Sequence, residues 1–209
     1  MSQCAPVCEE TMKLLVFDMG HVFVDFEWES VCLAFCRRAG CTIETLRPVF
    51  YELSQLGYES GRIGTDTFLG ELNSRLKTDI SREEFTELFT HTFRENEEMA
   101  QLLQTLKQQV PLYLLSNTNE VHYDWLQEKY AVARHFQELI LSYKVGCSKP
   151  DQAIYRHVLE RSRFDAGDCL FIDDLQPNID AALGVGMKAH RFGGIEPLKS
   201  ELRSYGLQV

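Results

Sequence analysis

Short, wholly apolar runs alternate with helical stripes along most of this 209-residue chain. In residues 13–18, KLLVFD, the four positions between Lys13 and Asp18 are apolar in succession, and Gly20 stops the run. A half-exposed strand would alternate apolar and polar positions, so an unbroken run of this length predicts a strand buried on both faces. Residues 111–115, 139–143, 169–173 and 187–192 have the same look, the last most faintly. Between them lie helical patterns: Met99, Leu102, Leu103, Leu106 and Val110 recur at helical spacing, and Ile154, Tyr155, Val158 and Leu159 form a second stripe after Pro150. Strands that alternate with single helices predict an α/β fold, a doubly wound parallel sheet of the Rossmann-like kind. In such folds connections are right-handed and the ligand sits beyond the carboxyl ends of the strands.

One stretch breaks the alternation. Residues 25–96 contain helix after helix and no convincing strand, which predicts a helical cap inserted into a core formed by 1–24 and 97–209. Trp28, Val31, Cys32, Phe35, Cys36 and Ala39 make its first helix, and Pro48 is placed in the opening turn of a second. Thr65 or Asp66 caps a third that buries Phe68, Leu69, Leu72 and Leu76. Ser81 with Glu84 forms a capping box for a fourth, which carries Phe85, Leu88 and Phe89, with Phe93 beyond. Four amphipathic helices suffice for a small bundle.

Composition narrows the function classes. With 44% hydrophobic and 25% charged residues the chain is an ordinary globular one, and a net charge of −10 disfavours nucleic acid and anionic membrane surfaces as partners. No apolar run is long enough to span a bilayer, and the opening MSQCAPVCEE has neither a basic segment nor an apolar one, so a cytoplasmic location is expected. Seven cysteines, an odd number, suit reduced thiols. Cys4 and Cys8 sit near the chain start. Cys32, Cys36 and Cys41 have irregular spacing for zinc and no histidine pair beside them, and buried small apolar side chains explain them better.

The polar residues of interest fall at the strand ends. Asp18 closes the first strand, where its carboxylate meets backbone N–H groups freed by the turn, a setting that suits an attacking carboxylate. Ser116-Asn117-Thr118-Asn119 ends the second strand before a helix and offers a hydroxyl and amides to an anion. Lys149 supplies a point cation, and Asp173-Asp174 ends the fourth strand. Taken singly, a strand-end aspartate serves equally as a helix cap, and Ser-Asn or Lys-Pro are common turn pairs. Together, three carboxylates at one sheet edge repel one another unless a cation sits among them, and oxygen ligands around an open cavity favour Mg²⁺.

In sequence order, FDMGHV, LLSNTN, SKPD and FIDDLQPNIDAA resemble the four motifs of the haloacid dehalogenase superfamily, over nearly the whole chain. The helical insertion is similar to that superfamily's four-helix cap, and residues 59–63, ESGRI, look like its cap loop. The pattern most resembles the branch that includes a bacterial α-glucose-1-phosphate phosphatase and the phosphatase domain of soluble epoxide hydrolases. The resemblance implies a phosphatase in which Asp18 attacks phosphorus to form an aspartyl-phosphate, Ser116 and Asn117 hold phosphoryl oxygens, and Lys149 neutralises the developing charge. It further implies Mg²⁺ held by Asp18, the Gly20 carbonyl and Asp174, with Asp173 a direct or water-mediated partner and Asn178 behind them. The implied substrate is a small phosphorylated metabolite. Exposed cap aromatics leave room for a homodimer.

One position departs from that pattern. Most phosphatases of the superfamily carry a second aspartate two residues after the nucleophile, which protonates the leaving oxygen, and this chain has Gly20 there. Glycine keeps the metal-binding carbonyl and loses the acid, which is typically worth on the order of 10²- to 10⁴-fold. A sugar-1-phosphate, an aryl phosphate or an acyl phosphate is therefore the expected substrate. His21 has a suitable pKa for the missing role, although strand-like alternation would point it away. Two alternatives remain: a dehalogenase that uses Asp18 on carbon and recruits Arg62, and a protein that binds a phosphometabolite or a partner without turnover. Substrate choice is assigned to the cap, with Tyr58, Glu59 and Arg62 as candidates.

Overall fold

The computed structural model describes residues 11–209, so Cys4 and Cys8 lie outside the described part. β1 (Leu14–Phe17) leads through a tight loop to a two-residue strand, β2 (Val24–Asp25). Four helices follow: α1 (Trp28–Ala39), α2 (Ile43–Ser54), α3 (Thr65–Leu76) and α4 (Arg82–Thr90). The chain returns through β3 (Arg94–Glu95) to α5 (Glu97–Leu106), β4 (Leu112–Ser116), α6 (Glu120–Tyr130) and β5 (Glu138–Leu141). It ends with α7 (Ser142–Val145), α8 (Gln152–Ser162), β6 (Cys169–Asp173), α9 (Gln176–Gly184), β7 (Lys188–Arg191) and α10 (Ile195–Ser204).

The five long strands pair in parallel in the order β5-β4-β1-β6-β7, which puts β1 at the centre. Its residues are buried on both faces. Leu15 and Phe17 join a core with α5 and α10, while Leu14 and Val16 join another with α8 and α9. That two-sided burial is why the run reads as continuously apolar. The helical layer has a third core of its own, built from Phe35, Phe50, Phe68, Phe85 and Phe89 with aliphatic partners, and Val121 of α6 reaches into it from below.

Six local details differ from the expectations. The insertion is closed by an antiparallel ribbon that pairs Val24 with Glu95 and Asp25 with Arg94, strands too short to leave a pattern. Pro48 lies inside α2, which begins five residues earlier at Ile43, so the helix forgoes one backbone bond there. Gly64 occupies the N-cap of α3, because the Thr65 hydroxyl is buried against Tyr58 and donates to Glu120. Ser81 does accept from the Glu84 N–H at 3.2 Å, but the Glu84 carboxylate turns to Arg38, leaving half a capping box. Residues 142–143, expected as strand, begin α7. The terminal helix α10 was not anticipated; it buries Ile195, Leu198 and Leu202. Among the described residues no helix is long and apolar enough to cross a membrane.

His135 provides a test of this packing. It is 2% exposed, packs on Phe23 and Phe136, and its Nε2 accepts from Arg134. Burial, helped by Arg134 and Lys107, pushes its pKa down to about 4. The unfolded chain would bind a proton near pH 6.5 that the folded chain refuses until about pH 4, so this contribution is intact above 6.5 and is lost as pH falls between those values. The slope is at most about 1.4 kcal/mol per pH unit. Urea unfolding at pH 7 and pH 5 should show a smaller loss for His135→Gln than for the parent; equal losses would mean that His135 is not held neutral.

Candidate active site

The carboxyl ends of β1, β4 and β6 meet at one edge of the sheet, where parallel strands turn all their termini toward the same side. Asp18 follows β1 and is fixed twice by its own backbone: its N–H donates to the Ile172 carbonyl at 2.9 Å, and Oδ1 accepts from the Met19 N–H at 2.6 Å. Lys149 reaches across from the loop before α8, its Nζ 2.6 Å from Asp18 Oδ1 and 2.7 Å from Asp173 Oδ2. All three are nearly sealed from solvent, with Asp18 7%, Lys149 5% and Asp173 0% exposed. A buried ammonium held by two carboxylates is stable only because every charge has a partner.

Asp173 is saturated. Both of its oxygens accept from the Asn178 carboxamide at 3.0 Å, Oδ1 also accepts from the Leu175 N–H, and Oδ2 takes Lys149. Asn178 is steadied in turn by the buried Tyr155 hydroxyl, which donates to its carbonyl at 2.9 Å. Asp174, half-buried, faces the same cavity as Asp18.

Electrostatics here are short of positive charge. Burial pushes the Asp18 carboxyl up to about 6, Lys149 pulls the other way, and Asp173 adds to the rise. Asp174 is also raised, by burial and then by Asp173. Burial alone would lower Lys149, yet Asp18 and Asp173 outweigh it and its pKa is raised. Three carboxylates face one ammonium, and their ligand atoms lie within 4.8 Å of one another, the one such grouping of potential metal ligands among the described residues. A divalent cation would balance that excess, so the donor set fits a hard, oxygen-seeking metal. The three middle cysteines are not part of any such grouping and are free thiols.

Gly20 lies beside Asp18. The bridge around it uses the Met19 carbonyl and the His21 N–H, leaving the Gly20 carbonyl out. A Cβ at position 20 would come 3.3 Å from the Phe26 ring, so the room that a side chain would need is partly filled. His21 adopts a left-handed turn, φ 54°, rather than extended backbone, and its ring stacks on Phe26 at 4.3 Å. It therefore lines the cavity instead of pointing away.

Ser116, 1% exposed, has only a long 3.4 Å contact to the Asn117 carbonyl, which keeps its hydroxyl available at the cavity. Asn117 is differently employed. Its carboxamide donates to the Lys149 carbonyl at 2.8 Å and accepts from the Lys149 N–H at 2.7 Å. The Asn117 side chain is thus committed to positioning Lys149, a link across 32 residues that no local pattern announces, and its backbone N–H is the group that could face a phosphoryl oxygen.

Of the cap-loop candidates, Glu59 lines the cavity and its carbonyl is tied to the core by the Ser142 hydroxyl. Gly61 passes so close to Tyr143 that a Cβ would sit 2.1 Å from its carbonyl oxygen, and φ is 69°, so glycine is required there. Arg62 turns back to the Gln55 carbonyl at 3.2 Å, away from the site, and Tyr58 spends its hydroxyl on Thr65. Sequence reasoning missed Phe26, Trp28, Phe89 and His122, which wall the cavity of about 510 Å³ above Asp18. Trp28 and Phe89 read as helix core, Phe26 and His122 belong to no stripe, and nothing in the sequence marks which residues face a ligand.

The chain is 28% identical over 181 residues to a sesquiterpene phosphatase of Aspergillus oryzae, covering 85% of this chain and 88% of that protein. It is 25% identical over 185 residues to a D-ribitol-5-phosphate phosphatase of Bacteroides thetaiotaomicron, covering 85% and 90%. Its fold matches the crystal structure of a HAD family enzyme from that bacterium with a TM-score of 0.85 at 23% identity, over 92% of this chain and 99% of the other. A further structure of that enzyme, in complex with magnesium and inorganic phosphate, matches with a TM-score of 0.75 at 24% identity, over 86% and 93%. The sequence pattern of a hydrolase family matches residues 12–186, and on that match the chain belongs to the haloacid dehalogenase-like hydrolases.

Proposed function

We propose that the protein is a magnesium-dependent phosphatase that acts on a small phosphorylated metabolite through an aspartyl-phosphate on Asp18. The observation that carries this reading is the buried contact of Lys149 with both Asp18 and Asp173, beside Asp174 and an open cavity. A carboxylate fixed by the Met19 N–H and paired with a cation is held as an anion ready to attack.

Asp18, Asp174 and the Gly20 carbonyl would hold the metal. Asp173, already accepting from Lys149, Asn178 and Leu175, suits a water-mediated place better than a direct one. Bound magnesium supplies the charge that lets a phosphoryl anion approach a carboxylate. In the first step an Asp18 oxygen forms a bond to phosphorus while the ester P–O bond breaks, and the departing oxygen keeps the bonding pair. In the second, water attacks phosphorus and Asp18 is released. Ser116 Oγ and Lys149 Nζ stand where they would steady phosphoryl oxygens through both. The leaving oxygen finds no carboxylate at position 20, and His21 and Glu59 are the titratable groups on the wall that could serve it. Five free thiols among the described residues suit a cytoplasmic setting.

The dehalogenase alternative has little support, since Arg62 is tied to Gln55 and three carboxylates surround the site. Binding without turnover leaves the Asp18–Lys149 pair without a purpose.

Phosphate release should require Mg²⁺, stop with EDTA and resume on readdition, and Asp18→Asn should lower it by about 10³-fold or more. Turnover that persists in Asp18→Asn would remove the covalent mechanism. Asn117→Ala, by loosening the Lys149 segment, should lower kcat by roughly ten- to a hundredfold; an unchanged kcat would mean that the clamp is dispensable. For an alkyl phosphate, Gly20→Asp alone should help little because Phe26 crowds the new side chain, whereas Gly20→Asp with Phe26→Ala should raise kcat by about tenfold or more. Equal behaviour of the single and double variants would show that Phe26 does not restrict position 20.

A further inference from the structure

A second cavity, of about 290 Å³, lies inside the helical layer, walled by Cys32, Phe50, Phe68 and Tyr51. It shares Trp28, Glu59 and Phe89 with the Asp18 cavity, so an aromatic cavity adjoins the charged one. Trp28 is 43% and Tyr51 69% exposed, large apolar surfaces left facing this space in the free protein. Phe50 and Phe89 stack at an interplanar angle of 20°, with Trp28 edge-on to Phe50 at 5.4 Å. These rings pair with one another, and a flat ring entering here would lie against an aromatic wall held in place by those contacts.

A sugar would fare worse. Among the polar side chains on this wall, the Ser54 hydroxyl is spent on the Tyr51 carbonyl, the Tyr58 hydroxyl on Thr65 and the Asn119 carboxamide on the His122 N–H and ring, which leaves Arg47 and Glu59 as the charged groups on an otherwise mostly aromatic lining. Each sugar hydroxyl that lost water here without a partner would cost roughly 1–3 kcal/mol. A second observation concerns the leaving oxygen. Position 20 has no carboxylate, and the edge of Phe26 partly occupies its place. A phenolic oxygen, with a pKa of about 10 as in tyrosine, departs as the oxyanion far more readily than an alkoxide does.

We infer that the substrates are aryl phosphates, with the phosphoryl group at Asp18 and the ring against the aromatic wall to which Trp28, Phe50 and Phe89 contribute. This rests on the phosphatase reading above. The Asp18–phosphorus bond forms as the phosphorus–aryl oxygen bond breaks, and the aryl oxide takes the bonding pair. Water then attacks phosphorus, Asp18 leaves with its electron pair, phosphate is released, and the proton given up by that water balances the one the aryl oxide gains from solvent.

The test measures phosphate release by the full chain with Mg²⁺ from acetyl, phenyl, cyclohexyl and 2-naphthyl phosphates and D-glucose 1-phosphate. Expected are a kcat/KM for 2-naphthyl phosphate about 10²-fold above that for glucose 1-phosphate, and a kcat for phenyl at least about tenfold above cyclohexyl phosphate. Ser54→Phe, which adds a ring to the cavity wall from an exposed position, should lower the ratio of kcat/KM for 2-naphthyl to acetyl phosphate by about tenfold or more. Trp28→Ala should lower the same ratio, mainly through KM, and decides the matter if Ser54→Phe does not fold. Glucose 1-phosphate used as well as 2-naphthyl phosphate, or a ratio unmoved by the cap variants, would overturn the aryl assignment while leaving the phosphatase intact. Failure to release phosphate from acetyl phosphate or any ester would overturn the phosphatase reading itself.

Discussion

The site is organised around one buried cation. Lys149 Nζ touches Asp18 and Asp173 at 2.6 and 2.7 Å in a pocket almost without solvent. Removing an ammonium from water costs several kcal/mol, and only full pairing offsets it. The neighbouring residues supply that pairing: Asn117 fixes the Lys149 backbone from β4, while Asn178 and the Leu175 N–H hold Asp173 from α9. Four segments far apart in sequence are thereby locked to one geometry. An error in any one would leave an uncompensated charge, which makes the arrangement rigid and explains why the strand ends, rather than the helices, define the chemistry.

Pairing is nevertheless incomplete. One ammonium cannot balance three carboxylates, and the raised Asp18 and Asp174 carboxyls express that excess. Asp173 shares its burden with neutral donors, so the remaining negative charge is concentrated on the Asp18 and Asp174 side of the cavity. A divalent cation fits that side, and its charge would oppose the rise that burial, and then Asp173, gives the Asp18 carboxyl.

Much of this was legible in the sequence because a parallel strand buried on both faces must be apolar throughout. The runs at 14–17 and 169–173 therefore announced themselves, and the aspartates that end them followed by position alone. What escaped depended on distance or brevity. The ribbon of Val24–Asp25 with Arg94–Glu95 is two residues long on each side, below any period. Asn117 looked like an anion ligand because nothing local shows that its carboxamide meets Lys149. Phe26 read as a residue beyond the first motif, although the loop after Met19, folded back by two N–H bonds to the Met19 carbonyl, brings its ring over Gly20. Phe68 and Phe89 read as the buried face of amphipathic helices; they join the cluster of Phe35, Phe50 and Phe85 and also face a cavity.

That double duty links the two unusual features of the site. A carboxylate at position 20 would need room and hydration, and Phe26, stacked on His21 and packed near Phe93 at 5.6 Å, offers neither. The same aromatic wall continues through Trp28 and Phe89 into the cap. A wall of low polarity strengthens the interaction of Lys149 with a phosphoryl group and holds no carboxyl at position 20 to protonate an alkoxide. An apolar wall and a missing acid are therefore consistent with each other when the leaving oxygen needs no proton, and in conflict when it does. The composition of the wall thus constrains the leaving group as much as its shape constrains the organic part.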